Sequence, residues 1–188
     1  MKSKIIELLI STERPGIGNL CLFIENESDF FTAPCSGQYH GCKEGGLAEH
    51  SLNVYNTMID IAKSNSLISN FILSKDSLTI VSLLHDLGKS TYRGKPNYVP
   101  NILASGKVSP TKPFETNKDR LYIAHEIVSL QIASKYIELT DEEEFAILYH
   151  NGLYVSSGRD IQGKERPLQQ LLHFSDMWAS RFLEKEGE

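Results

Sequence analysis

The chain has 188 residues, 40% of them hydrophobic and 23% charged, with a formal net charge of −5. That length suits one domain with a substantial core, and the acidic balance excludes a broadly basic surface for duplex nucleic acid. No apolar run approaches the ~20 residues that a membrane span needs, so no membrane partner is expected.

Met1 to Glu7 place a glutamate where a secretion signal needs an apolar centre. Three cysteines, Cys21, Cys35 and Cys42, make no even disulfide framework and suit a reducing compartment. The expectation is a cytoplasmic protein, with nothing in the sequence to set its oligomeric state.

In chain order, residues 3–11 and 16–26 read as short amphipathic helices split by Arg14-Pro15-Gly16, and residues 27–46, rich in glycine, read as irregular. Residues 1–44 are expected to pack as an extension on a core formed by 45–183, the whole making one domain. A strong helix is predicted from Leu47 to about Ala62, with Leu47, Tyr55, Met58 and Ala62 at helical spacing and His50 with Val54 on an adjoining stripe. Asp76 or Ser77 is expected to cap the next helix, which carries Leu78, Ile80, Val81 and Leu84 inward and runs to Asp86. Gly88 would close it in a left-handed conformation.

Residues 90–118 hold Pro96, Pro100, Pro110 and Pro113 and read as a long loop with a short hairpin around Tyr98 to Val108, a segment suited to form a lid or substrate wall. A helix over 121–137 follows, with Leu121, Ile127, Leu130, Ile132 and Tyr136 apolar. Thr140-Asp141-Glu142-Glu143 is a capping box that opens a helix through about Asn151, its acidic run read as a solvated cap on the helix dipole. Gly152 ends that helix and 158–165 read as loop. Pro167 is placed as the first residue of a last helix to about Phe182, and 184–188 are expected to fray.

The chemistry concentrates at His85-Asp86. Adjacent helical residues point about 100° apart, but at a helix end both side chains reach one ion lying just beyond it. Imidazole and carboxylate are a usual ligand pair for divalent transition metals. His50, His125, His150 and Asp176 each lie on a predicted helix or at its end. Asp176 sits among Leu171, Leu172, Phe174 and Trp178, where a bare carboxylate is costly to bury without a partner. His173 precedes it by three residues on the same face. Cys35, His40 and Cys42 offer three soft ligands, one short of a structural zinc site. Gly106-Lys107 lacks the rest of a nucleotide-binding loop, and no Gly-x-Ser-x-Gly elbow occurs.

The segments Gly45-Gly46-Leu47-Ala48-Glu49-His50-Ser51, Leu83-Leu84-His85-Asp86-Leu87-Gly88-Lys89, Ala124-His125-Glu126, Tyr149-His150-Asn151-Gly152 and Leu172-His173-Phe174-Ser175-Asp176 occur in that order. Together they resemble the HD-domain metal-dependent phosphohydrolase superfamily. The Gly-Gly-Leu-x-x-His-Ser opening and the His-x-x-Asp close resemble its branch of bacterial 3′–5′ exoribonucleases.

The resemblance implies an all-α helical bundle with a Pro-rich loop inserted after the His-Asp helix. His50, His85, Asp86 and Asp176 would hold one divalent ion, and His125 and His150 would add a second, with Asp86 bridging. Asn151 stands where several two-metal relatives carry another histidine, which disfavours a third ion. Nitrogen and oxygen ligands favour Mn, Fe, Co, Ni or Zn over Ca. Asp86 and Lys89 would be catalytic, with water activated on the metal attacking a small phosphorylated substrate (a nucleotide or cyclic dinucleotide) or the end of a single-stranded nucleic acid. His173 and Glu49 would support the ligands, and His40, Gln38 and Arg93 would lie on the substrate side, with Tyr92, Tyr98 and Lys107 as further loop groups for a nucleic-acid end. The same ligands also suit a di-iron oxygenase or a non-catalytic metal-bound sensor.

Overall fold

The computed structural model describes residues 1–64 and 73–184. Among them the fold is an all-α bundle with a single two-stranded ribbon. Helices α1 (Lys2–Ile10) and α2 (Ile17–Asn26) bury the stripes Ile5, Leu8, Leu9 and Ile17, Leu20, Cys21, Ile24. On α3 (Gly46–Ser64) the buried residues Leu47, His50, Ser51, Val54, Tyr55 and Met58 form one stripe at spacings of three and four, with Gly46 and Ala48 also buried where the helix starts. His50 thus belongs to the core face itself. The helix begins where the preceding loop touches it: a Cβ on Gly46 would lie 2.0 Å from the Gly41 carbonyl oxygen.

Helix α4 (Lys75–Leu84) is buried from Leu78 to Leu84 without a break and packs against α1, α3, α6 and α7. A helix apolar all round belongs at the centre of a bundle. Its cap is Ser74, whose hydroxyl accepts the Ser77 N–H at 3.0 Å, and neither Asp76 nor Ser77. Ser77 is drawn away because its hydroxyl donates to Glu143 at 2.7 Å. The helix ends at Leu84, and a 3-10 turn, Leu87–Lys89, follows His85 and Asp86.

Gly88 is not among the residues with positive φ. Its glycine has a different cause. A Cβ there would lie 2.1 Å from the His125 carbonyl oxygen and 2.8 Å from the Ser129 nitrogen. Helix α5 (His125–Ala133) lies directly on the turn, and Ser129 bridges the two by accepting the Gly88 N–H at 2.8 Å and donating to the His85 carbonyl at 2.7 Å.

After the turn, β1 (Tyr98–Pro100) pairs antiparallel with β2 (Phe114–Thr116), and Ile102 bridges Val108 inside that span. The ribbon therefore closes over a longer stretch than Tyr98 to Val108. Helix α5 starts at His125, later than expected, and Leu121 and Tyr122 stand 83% exposed. The Arg120 guanidinium donates to the carbonyls of Ser90 and Gly88 at 2.7 Å each, which ties the chain to the His-Asp turn in an extended run before the helix opens.

The capping box of α6 (Asp141–Leu148) forms as expected, but its glutamate is no solvated cap. Glu143 is fully buried and accepts two hydrogen bonds from the Arg14 guanidinium, at 2.8 and 2.9 Å. The helix stops at Leu148, ahead of the expected Asn151; short 3-10 turns follow at Gly152–Tyr154 and Ser156–Ile161, the second taking the start of the predicted loop, while 162–165 stay irregular as expected. Pro167 opens α7 (Pro167–Trp178), and a π-turn, Ala179–Leu183, continues it. One apolar cluster draws on α1 through α7, from Ile5 to Ala179. No helix among the described residues is long and apolar enough to cross a membrane.

Candidate metal centre

Five elements deliver six side chains to one point. His50 comes from α3, His85 and Asp86 from the end of α4, His125 from the first turn of α5, His150 from just beyond α6, and Asp176 from α7. His50, His85, Asp86 and His150 are at most 1% exposed. Ligand atoms of His50, His85 and Asp176 lie within 4.8 Å of one another, as do those of His85, Asp86 and His150.

Asp86 faces both groups with different oxygens. Its Oδ2 lies 3.6 Å from His50 Nε2 and 3.5 Å from His85 Nε2, and its Oδ1 lies 3.1 Å from His125 Nε2 and 3.6 Å from His150 Nε2. Asp176 Oδ1 stands 3.2 Å from His50 Nε2. A carboxylate with one oxygen toward each of two imidazole sets has the shape of a bridging ligand.

The imidazole tautomers follow from what holds the opposite nitrogen. His85 Nδ1 donates to the Ser82 carbonyl at 2.9 Å, His150 Nδ1 to the Ile147 carbonyl at 2.8 Å, and His50 Nδ1 to the Glu184 carboxylate at 3.0 Å. Each ring thereby turns an Nε2 lone pair inward when neutral, as histidine ligands do when a carbonyl or carboxylate orients them. His50 Nε2, His85 Nε2 and Asp86 Oδ1 are buried without a hydrogen-bond partner. A buried polar atom in that state costs roughly 1–3 kcal/mol, and a cation at the centre would satisfy all three. The donor set, neutral imidazoles and carboxylates, fits a divalent transition ion.

Charge around the centre is strongly biased. Burial opposes ionisation of Asp86, but Lys89 and His85 overcome it and hold the carboxyl well below its usual range. Burial likewise opposes the charge on Asp176 and Glu184, and His50 lowers both. Burial would also keep His50 neutral; Cys35, Asp176 and Glu184 reverse that and raise its pKa well above the ordinary value. Burial and His85 push His150 down to about 4. Lys89 donates to Asp86 Oδ2 at 2.7 Å, which outweighs its burial and fixes it as an ammonium.

The remaining predicted residues divide. His173 donates its Nδ1 hydrogen to the His150 carbonyl at 2.6 Å and lines a small cavity together with Lys89 and Asp176. His40 and Gln38 line a cavity of about 700 Å³ with Tyr39, Arg181 and Glu184, and the loop residues Pro110 and Thr111 form its far wall. A smaller cavity of about 170 Å³ shares His40 and Arg181 and reaches Lys89 and Asp176, so the larger one is the mouth of the centre. Glu49 is turned away, 43% exposed and paired with Lys43 at 3.0 Å. Arg93 lines a different cavity with Phe23, Glu27 and Tyr92, where Tyr92 donates to Gln131. Its expected place on the substrate side is not where the chain puts it, because the turn at Arg93, with φ +52, folds that segment back toward α2 and α5.

Two residues at the centre lay outside the sequence reading of it. Glu184 falls in the stretch expected to fray, of which 185–188 lie outside the described residues; its signal is only a position about two helical turns after Asp176. Cys35 packs 3.8 Å from Asp86 Oδ2 and 3.8 Å from Lys89 Nζ, and the sequence linked it only with the neighbouring His40 and Cys42. The HD domain family model matches residues 47–173. No curated protein and no solved structure matches the chain.

Proposed function

Since the chain belongs to the HD-domain family, we propose that it is a metal-dependent phosphohydrolase that cleaves a phosphoester at the centre formed by His50, His85, Asp86, His125, His150 and Asp176. One observation carries the reading. Buried imidazoles with fixed Nδ1 hydrogens turn Nε2 toward the two oxygens of a single carboxylate, which is an arrangement for holding two ions side by side. Divalent ions there would make water acidic enough to attack phosphorus and would polarise a phosphoryl oxygen.

The chain's own groups do the rest. Asp86 and Asp176 supply the negative charge that retains the ions. Lys89, 15% exposed and pinned by Asp86, holds a fixed positive charge at the inner end of the mouth, where a phosphoryl oxygen arrives. His125, 26% exposed, is the most solvent-accessible of the four imidazoles of the centre. Tyr39 and Tyr154, 74% and 62% exposed, flank the entrance, and Arg181 lies over the Tyr154 ring at 4.9 Å. Exposed rings and a guanidinium suit a base and its phosphate, which favours a nucleotide, a cyclic dinucleotide or a nucleic-acid end as the substrate class.

The test loads the purified protein with Mn, Fe, Co, Ni or Zn, counts bound metal per chain, and assays a panel of phosphomonoesters, phosphodiesters and 3′ nucleic-acid ends. Hydrolysis that needs the metal and falls more than about 100-fold in Asp86→Asn is expected, a larger loss than supporting groups produce. Metal-loaded protein that cleaves no phosphoester would sink the reading, and oxygen consumption by an iron-loaded form would replace it with an oxygenase.

A further inference from the structure

Beside the proposed centre lies a second cluster whose chemistry differs. Cys35 Sγ stands 3.5 Å from His40 Nε2, the His40 and His50 rings are 5.1 Å apart, and one ligand atom from each of the three lies within 4.8 Å of the others. Cys35 is fully buried, and His50 Nε2 is buried without a hydrogen-bond partner. The loop is held in this place by backbone, since Cys35 N–H donates to the Gly41 carbonyl at 2.9 Å and a Cβ on Gly41 would lie 2.8 Å from the Cys35 Cβ. Two nitrogens and one sulfur converge at the wall between the mouth cavity and the His-Asp turn.

We infer that Cys35, His40 and His50 form a sulfur-bearing metal subsite that takes a thiophilic cation such as zinc and competes with the proposed hydrolytic centre for His50. Thiolate and imidazole together select soft or borderline ions, whereas the centre beside them, with two carboxylates and no sulfur, also accepts harder ones such as manganese. A tetrahedral ion with bonds of about 2.0–2.3 Å keeps its ligands less than about 4 Å apart, so the cluster needs only a small inward movement to close. Competition follows from the shared ring. His50 has one inward nitrogen, and its Nδ1 is held by Glu184. An ion bound through Nε2 on the sulfur side therefore denies that nitrogen to the ion on the Asp176 side. Binding exchanges the Cys35 S–H bond for a sulfur–metal bond, and the proton leaves to solvent. The subsite uses His50 as the proposed function does, but it does not require hydrolysis.

Cobalt reports the difference without an activity assay. Apo protein is titrated with Co(II) and read in the near ultraviolet for sulfur-to-cobalt charge transfer and in the visible for ligand-field bands. The wild type is expected to show the charge-transfer band, Cys35→Ser to lose it while retaining ligand-field absorption, and Cys42→Ala to keep it. His40→Ala, which alters a partly exposed side chain and leaves the core intact, is expected to weaken the band at equal cobalt. In manganese-loaded protein, zinc should inhibit the wild type at concentrations at least tenfold lower than it inhibits Cys35→Ser. Cobalt bound with no charge-transfer band, or a band that survives Cys35→Ser, overturns this inference and leaves the proposed function standing. A protein that binds no cobalt overturns this inference, and one that binds none of Mn, Fe, Co, Ni or Zn overturns both.

Discussion

His50 owes its orientation to Glu184, 134 positions away in the chain, whose carboxylate holds the imidazole Nδ1 while the Asn53 amide donates to the same carboxylate at 3.0 Å. Removing that carboxylate frees the ring to rotate and lowers the basicity of the nitrogen that faces the centre. Glu184→Ala should therefore weaken metal binding by about 10–100-fold, measured by competition with a chromophoric chelator; an unchanged affinity would remove Glu184 from the site. This partner was not legible in the sequence. His85-Asp86 announces itself because two ligand types adjoin at a helix end, and Asp176 because a carboxylate sits among apolar neighbours. Glu184 lies in a polar tail among other charges, where nothing in the pattern separates a buried acid from a solvated one. Cys35 was half legible: the sequence grouped it with His40, which it meets at 3.5 Å, but gave no sign of the Asp86 and Lys89 contacts that place it at the centre.

At the scale of elements, two departures from the sequence reading share a cause: contact between elements distant in the chain. Arg14, in the break between α1 and α2, reaches Glu143 at the first turn of α6, and Ser77 of α4 joins them. The pattern Thr-x-x-Glu identifies the cap correctly, yet cannot reveal that the capping glutamate also anchors a distant segment. Arg14→Ala leaves Glu143 buried with its charge only partly met, and should cost about 3 kcal/mol, the low end for breaking a buried pair because Arg14 is 18% exposed. The pH dependence has a definite sign. Burial would raise the Glu143 pKa, but the Arg14 bond and the Thr140 and Ser77 donors lower it below 4.5. A depressed carboxyl stabilises the fold fully above about 4.5 and loses that contribution as the pH falls through its folded value. Urea titrations from pH 7 down to pH 3 should show this acid loss in the wild type and a shallower one in Arg14→Ala. Gly88 makes the second case. The sequence offered a helix-closing glycine, whereas the turn needs a residue without a Cβ because α5 lies on it. Gly88→Ala should lower stability by about 1–3 kcal/mol through overpacking and displace His125, so that metal stoichiometry drops along with the melting temperature. A variant of wild-type stability that still binds its full metal complement would show the contact to be slack.

The whole molecule sets three buried imidazoles and the Asp86 carboxylate in the middle of an apolar cluster, where each must find a partner or destabilise the fold. The order of motifs along the chain, through its resemblance to the HD-domain superfamily, was enough to identify the bundle and the six polar groups that converge in it. The convergence itself was not readable, since it depends on α4 being buried all round and on α3, α5, α6 and α7 closing over its end. A cation held by that arrangement would be thermodynamically linked to the fold. Ions would bind the assembled centre far better than an unfolded chain in which the ligands lie up to 126 residues apart, counting from His50 to Asp176. Binding only the folded form stabilises it by about 2.7 kcal/mol when free metal is 100-fold above its dissociation constant. For a chain of this size that corresponds to a rise in melting temperature of about 5–10 °C. Differential scanning calorimetry of chelator-treated protein, with and without Mn or Zn added back, should show that rise. It should shrink sharply in Asp86→Asn, which removes the carboxylate common to both imidazole sets. Equal melting temperatures with and without metal in the wild type would mean that the buried histidines and carboxylates satisfy one another, and that the centre is a hydrogen-bonded core with no affinity for a cation.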